Sequence, residues 1–239
     1  MIKRKTKYKR IMLKLSGEVL GGKSGSSIDD KTVLELCREI AAVKKMGVEI
    51  AIVVGGGNIW RYRDHQSSGF DRVYSDSMGM VATIMNSMYL QGVFERLSVE
   101  ARVCSAIEAP KVVETFYALK GRGHLKKGRI VICAGGTGSP FFTTDSAAAL
   151  RALELNCDAL LKATKVDYVY DKDPVKHKNA KKFKKLSYSD VLAKNLGVMD
   201  LTAVSLCKEG KIPIHVFNLM KKGNIANVVL GKDVGTVIN

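Results

Sequence analysis

Ile11-Met12-Leu13-Lys14-Leu15-Ser16-Gly17 is an apolar run that ends in small residues, and its pattern recurs twice. Glu49 to Val54 runs into Gly55-Gly56-Gly57-Asn58, and Arg129 to Ala134 runs into Gly135-Gly136-Thr137-Gly138-Ser139-Pro140. Short runs that are apolar on both faces suit interior strands of a parallel sheet covered by helices on each side. Further strand-like segments lie at Ala101 to Ala106, Ala159 to Ala163 and Ile212 to Phe217. Helical patterns with readable ends separate them. Val33, Leu36, Cys37, Ile40 and Val43 recur at helical spacing between Asp29-Asp30 and a stop at Gly47. Thr144 or Asp145 is placed to cap an Ala-rich helix through Leu150 and Leu155. Ser187 and Asp190 form a capping-box pattern ahead of Gly197, and Asp200 can cap a helix that stops near Gly210. The alternation predicts an α/β fold, a three-layer αβα sandwich with a mainly parallel central sheet.

The chain has 239 residues, of which 46% are hydrophobic, enough for one substantial core. No Pro/Gly/Ser-rich or low-complexity stretch and no repeat of fixed period divides it, so residues 1–239 read as a single domain with a basic arm over residues 1–9. The longest apolar stretch, Ile50 to Val54, is far short of a bilayer span, and the N-terminus opens with lysines. A cytoplasmic location with no membrane contact is expected. Cys37, Cys104, Cys133, Cys157 and Cys207 are widely spaced among apolar residues and read as buried free thiols. His65, His124, His177 and His215 are scattered, and no Cys/His/carboxylate group has metal-ligand spacing, so no structural zinc is expected.

Charge narrows the partners. Lys plus Arg number 39 against 23 Asp plus Glu, a net +16 that calls for an anionic ligand. Much of the excess lies in two runs, Lys3 to Arg10 and Lys176 to Lys185. Such runs are usually solvated surface, and weak nucleic-acid binding is their functional alternative.

In parallel sheets, ligands sit where strands end and helices begin, so the three glycine-containing loops should share one edge. Glycine there lets backbone N–H groups approach phosphate oxygens closely, and helix N-termini add favourable dipoles. One stretch imitates a P-loop: Gly17-Glu18-Val19-Leu20-Gly21-Gly22-Lys23-Ser24 satisfies G-x-x-x-x-G-K-[ST]. Its context fails, because Gly25-Ser26-Ser27 follows and helix signals begin only at Asp29. The dinucleotide fingerprint G-x-G-x-x-G is absent.

Lys14 and Lys162 stand inside apolar strand segments, where a charge is costly without a partner. Each could snorkel to the sheet edge, yet together, beside glycine loops, they look like a clamp for a transferring phosphate. Phosphoryl transfer is mostly positioning and charge neutralisation, so it needs cations more than a nucleophilic serine or a histidine base. The chain has no G-x-S-x-G elbow.

At these residues the chain resembles the bacterial uridylate kinases of the amino acid kinase superfamily, from about Lys9 to the C-terminus. The resemblance is carried by Lys14-Leu15-Ser16-Gly17-Glu18, Gly55-Gly56-Gly57-Asn58, Arg61, Phe141-Phe142-Thr143-Thr144-Asp145-Ser146-Ala147, Lys162-Ala163-Thr164-Lys165-Val166-Asp167, Val198-Met199-Asp200 and Phe217-Asn218. It implies reversible transfer of the γ-phosphoryl group of ATP to UMP, giving UDP and ADP, in de novo pyrimidine biosynthesis towards CTP. Lys14 and Lys162 would hold the transferring group, and Asp145 and Asp200 would orient those lysines or magnesium. Leu15, Ser16, Gly17, Gly57, Arg61, Thr164, Tyr170 and Asp173 would join Lys14 at the ATP site. Gly56, Arg61, Asp76, Thr137, Gly138, Ser139, Pro140, Phe141, Phe142, Thr143 and Thr144 would hold UMP, with Arg61 on its phosphate and Asp76 on its sugar hydroxyls. Mg2+ would arrive with ATP, no residue being assigned as its direct ligand. The relatives are homohexamers.

Physical chemistry suits these roles, since arginine grips phosphate with two donors and a carboxylate accepts from a hydroxyl pair. Plainer readings stand beside them. Asp145 and Asp200 sit where helix caps are expected, and Tyr170 could pack rather than stack on adenine. Asp76 precedes a Met-rich helical stretch, Met78, Met80, Met85 and Met88, whose spacing suits core or subunit contact.

Ser139 stands where the family shows Asn, Trp60 replaces Phe, and the loop from Tyr62 to Gly69 is more polar than usual. The segment Tyr89 to Val93 lacks the Arg-Asp pair of GTP-activated relatives, so GTP activation is not expected. Two alternatives remain open: a kinase for another acceptor, against which Asp76 and Thr143-Thr144 speak, and a nucleic-acid-binding protein, which lacks any RNP, zinc-finger or helix-turn-helix signature.

Overall fold

The computed structural model describes residues 6–22, 27–65, 69–177, 179–194 and 196–239. Lys3 to Lys5 and Lys178 of the basic runs, the Lys23-Ser24 pair of the P-loop imitation and residues 66–68 of the polar loop lie outside them.

In chain order the elements are β1 (Arg10–Leu15), α1 (Asp30–Lys44), β2 (Glu49–Val54), α2 (Arg72–Arg96), β3 (Ala101–Ser105), β4 (Glu114–Thr115), α3 (Ala118–Lys126), β5 (Ile130–Ala134) and α4 (Thr144–Glu154). There follow β6 (Ala159–Thr164), β7 (Val169–Tyr170), β8 (Lys182–Phe183), β9 (Lys185–Leu186), α5 (Tyr188–Ala193), α6 (Leu201–Glu209), β10 (Ile214–Asn218), α7 (Asn224–Val229) and β11 (Thr236–Ile238). Nine strands form one sheet in the order β4-β3-β5-β2-β1-β6-β10-β11-β9, while β7 and β8 pair separately. Among the described residues every neighbour pair of the large sheet is parallel except β10 with β11. The chain is thus a three-layer αβα sandwich, as the pattern of apolar runs predicts.

The two-residue alternation of the strands divides the core. Ile11, Leu13 and Leu15 of β1, with Ile50, Ile52 and Val54 of β2, face α1, α2 and α7. Met12, Ala51, Val53 and Leu160 face the layer of α3 to α6. Lys14 shares the face of Met12, and Lys162 that of Leu160, so alternation alone aims both lysines at α4. That helix lies close to the sheet because Ala147, Ala148, Ala149 and Ala152 line its packed face, all fully buried.

Several boundaries differ from expectation for identifiable reasons. The side chain capping α4 is Thr143, which accepts from the N–H groups of Asp145 and Ser146, not Thr144 or Asp145. The last sequence-predicted strand starts at Ile214 rather than Ile212, after Pro213, which has no N–H to donate. Asp76 does not precede its helix but lies in it, because Asp71 caps α2 by accepting from Val73 N at 2.8 Å. Asp29 caps α1, and the Ser187/Asp190 capping box forms.

All five cysteines are free and buried. Burial pushes the thiols of Cys37, Cys104, Cys157 and Cys207 up to about 12, which leaves them protonated and unreactive at neutral pH.

Candidate active site

The C-terminal ends of β1, β2, β5 and β6 lie side by side, and their loops make the site. Lys14 Nζ is 2.8 Å from Asp145 Oδ1 and Lys162 Nζ is 2.6 Å from Asp145 Oδ2, with side-chain exposures of 12%, 14% and 14% for Lys14, Lys162 and Asp145. Lys162 also donates to the Val198 carbonyl. Burial pushes the Asp145 carboxyl up, and the two lysines outweigh it, leaving it below the ordinary value. Burial also lowers Lys162, against the pull of Asp145.

Asp200 touches neither lysine by hydrogen bond. It caps α6 by accepting from Ala203 N at 2.8 Å, accepts from Ser146 Oγ at 2.8 Å and accepts from the Thr143 hydroxyl. Two helix N-termini, those of α4 and α6, are thereby bolted together beside the lysine pair, and helix N-termini favour negative charge.

The glycine loops pack without room for side chains. A Cβ on Gly17 would fall 2.5 Å from the Gly55 carbonyl oxygen, and one on Gly56 would fall 2.6 Å from that of Gly79. Helix α2 fastens the other two loops: the buried Asn86 donates to the Gly55 carbonyl at 2.8 Å and exchanges hydrogen bonds with Asn58, and Thr83 Oγ1 accepts from Gly135 N at 2.8 Å.

Arg61 is held at the junction of the loops. It donates to the Gly57 carbonyl, and its Nη2 lies 2.8 Å from Glu18 Oε1, while Lys165 Nζ lies 3.1 Å from Glu18 Oε2. The Lys165 hydrogen bond, with Arg61 helping and burial opposing, holds the Glu18 carboxyl below its usual value.

Three adjoining hollows frame the lysines. A cleft of about 490 Å3 runs from Lys162 and Thr164 past Tyr170 and Asp173 to Gly197 and Val198. An open basin of about 590 Å3 is lined by Lys14, Ser16, Gly17, Gly57, Arg61 and Thr144. It shares Gly56, Gly57, Tyr62, Arg72, Thr143 and Thr144 with a cavity of about 240 Å3 that reaches Asp76, Ser139 and Phe142.

The structure therefore gathers most of the expected residues around one edge, with exceptions. The side chain of Leu15 is fully buried in the core, leaving only its backbone to the site. Thr137, Gly138, Pro140 and Phe141 belong to the expected loop but do not line the cavity. Phe141 contributes its N–H, which donates to Asp76 Oδ2 at 2.8 Å, and holds a φ of 69°, rare for a side-chain-bearing residue.

Sequence reasoning missed the partners that act across elements: Glu18 between Arg61 and Lys165, Asn86 on the glycine loop, and Arg72 on Asp76. It also missed a convergence away from the site, where the ligating atoms of Cys104, Glu114 and His124 come within 4.8 Å of one another. Lys120 at 2.7 Å and Arg102 at 3.8 Å already engage Glu114, and Arg129 lies 3.3 Å from His124 Nδ1.

Comparison with known proteins matches this architecture. Residues 9–218 match the family model described as the amino acid kinase family. A uridylate kinase of Paramagnetospirillum magneticum is 49% identical over 232 residues, 97% of each chain. The crystal structure of UMP kinase from Bacillus anthracis is 41% identical, with a TM-score of 0.94 over 97% of this chain and 96% of that one. That of UMP kinase from Ureaplasma parvum is 37% identical, with a TM-score of 0.91 over 97% and 98%.

Proposed function

We propose that this chain, which belongs to the amino acid kinase family, moves the γ-phosphoryl group of ATP onto UMP and releases ADP and UDP. The observation that carries this reading is the Lys14–Asp145–Lys162 group set between a nucleotide-sized cleft and a smaller acceptor cavity, in a chain 49% identical to a uridylate kinase.

ATP would lie with its base in the cleft by Tyr170 and Asp173 and its phosphates over Ser16, Gly17 and Gly57. UMP would lie in the acceptor cavity, its sugar hydroxyls at Asp76 and its phosphate towards Arg61. An oxygen of the UMP phosphate, already anionic at neutral pH, attacks the γ-phosphorus in line. The new O–P bond forms as the bond to the ADP oxygen breaks, and ADP takes the electron pair. No general base is needed. The task is to suppress repulsion between two polyanions, which Lys14 and Lys162 do from the α4 face of the sheet while the α4 and α6 dipoles assist.

Mg2+ accompanies ATP as part of the substrate. Both carboxylates near the lysines are already engaged, Asp145 by two ammonium groups and Asp200 by three donors, so the ion would be held chiefly through the nucleotide and would supply charge neutralisation.

The chain reads as one domain with a homo-oligomeric assembly, a hexamer by family analogy. One continuous sheet supports the first point. An exposed stripe on α2, Tyr74, Met78, Val81, Met85 and Met88 at helical spacing, supports self-association. Free thiols and nucleotide substrates suit the cytoplasm and a place in pyrimidine nucleotide synthesis leading to CTP. No helix among the described residues is long and apolar enough to cross a membrane. Exposed Lys172, Lys176, Lys181 and Lys185 support at most a weak, salt-sensitive contact with nucleic acid.

The test is ADP release from Mg-ATP by the purified chain with UMP as sole acceptor: rapid release supports the reading, and none refutes it.

A further inference from the structure

Arg72 is the first residue of α2 and belongs to none of the motifs that identify the site. Its Nε lies 2.8 Å from each oxygen of Asp76, one turn further along. Its guanidinium also lies 4.6 Å from the ring centre of Tyr62 and 5.6 Å from that of Phe141. These rings come from two different segments, Tyr62 from the turn after the second glycine loop and Phe141 from the loop before α4. Arg72 lines both the acceptor cavity and the phosphate basin.

An ion pair one helical turn apart on a helix, with its arginine still reached by solvent, contributes little to stability, so stability alone is a poor reason for this arrangement. Orientation is a better one. Near the start of a helix an aspartate can turn towards backbone N–H groups, and a carboxylate doing so would not face the cavity. Here the carboxylate is 15% exposed and held by Arg72 on one side and by Phe141 N on the other. The left-handed backbone at Phe141 delivers that N–H, and the ring of the same residue returns to cover Arg72.

We propose that Arg72 is the positioning residue for sugar recognition: it fixes the Asp76 carboxylate to accept from a ribose 2′,3′-diol and, through Tyr62 and Phe141, ties the turn after the second glycine loop to the loop before α4. The inference rests on the reading of Asp76 as the sugar acceptor. Its consequence is selection of ribonucleotides over 2′-deoxyribonucleotides, because a site built to bond a hydroxyl discriminates against the analogue that lacks it.

The test compares kcat and KM for UMP and dUMP, at saturating Mg-ATP, in the full chain and in Arg72→Met, Arg72→Lys, Asp76→Asn and the Arg72→Met/Asp76→Asn double variant, each checked for folding by thermal melting. The expected result is a KM for UMP raised about tenfold in Arg72→Met with kcat within about twofold, and a UMP-to-dUMP preference reduced about tenfold. Arg72→Lys recovers part of the preference, and the double variant is no less selective than Asp76→Asn. A merely structural role lowers both substrates equally, and that outcome overturns the proposal. If Asp76→Asn keeps full preference, the reading of Asp76 falls and the proposal with it, while UMP turnover by the unaltered chain still stands. If Arg72→Met fails to fold, Arg72→Lys decides: wild-type KM and preference in a variant without the planar guanidinium that lies over the Tyr62 and Phe141 rings overturn the proposal.

Discussion

Lys14 and Lys162 are register partners on the neighbouring parallel strands β1 and β6, and the single carboxylate of Asp145 answers both. Two ammonium groups side by side repel each other, and one carboxylate leaves the trio with a net charge of about +1. That positive balance suits an anionic group such as the γ-phosphoryl group of ATP. A lysine pair built this way gains most as negative charge gathers on the transferring group, which makes it a device for the transition state more than for binding.

Replacing Lys14 by Ala or Lys162 by Met should therefore cut kcat by about a hundredfold or more while weakening ATP binding by less than about tenfold. Steady-state rates set beside equilibrium nucleotide titration check this, and an unchanged rate would contradict it.

Asp145→Asn removes the one carboxylate that, among the described residues, forms an ion pair with the two lysines, and leaving buried charges unpaired costs about 3–5 kcal/mol. The pH sense follows from the lowered pKa of the native carboxyl. The stabilisation from Asp145 is present above the ordinary carboxylate range and lost as pH falls through and below it. Urea unfolding at neutral and at acid pH should show that the Asn variant is less stable at neutral pH and loses less on acidification.

Much of this arrangement is legible in the chain itself because it is local. Strands apolar on both faces, each entering a glycine loop, define the parallel sheet and its active edge, and a lysine inside such a strand stands out. What depends on choices among neighbours is not legible. Thr143, Thr144 and Asp145 can all cap a helix, and only packing selects Thr143. The polar stretch from Asp71 to Ser77 hides the first turns of α2, which is why Asp76 looks like a residue before the helix. Glu18 meets Lys165 across 147 positions of sequence, and Cys104, Glu114 and His124 converge through sheet pairing and α3. The two-residue and three-residue strands β9 and β11 are too short to carry an alternation of their own.

The Tyr8 hydroxyl and His215 Nε2 share a hydrogen bond of 2.7 Å, tying the segment before β1 to β10. Burial, with Lys7 adding to it, lowers the imidazole from 6.5 to about 4. The neutral ring is the one that fits, so the native state is most stable above about pH 6.5 and loses about 3 kcal/mol as pH falls from there to about 4. His215→Gln keeps a polar partner for Tyr8 that does not titrate and should flatten that part of the stability profile. Unfolding free energies at pH 7.5 and pH 4.5 in both proteins provide the check, and equal pH losses would count against the assignment.

Gly56→Ala places a methyl group 2.6 Å from the Gly79 carbonyl oxygen and 2.9 Å from Ala82 Cβ. The second glycine loop and α2 must then separate, which distorts the acceptor cavity that both line. The KM for UMP should rise by about tenfold or more with little change in ATP affinity. A variant affected in ATP affinity alone would place Gly56 on the nucleotide side instead.

The most direct test of the central claim is a side-by-side assay of ADP release from Mg-ATP with UMP, CMP, AMP, aspartate, glutamate or carbamate as acceptor. Rapid release with UMP alone is the expected result. Preference for another acceptor would retain the lysine clamp but contradict the roles given to Asp76 and Thr143-Thr144, and no release with any acceptor would contradict the kinase assignment itself.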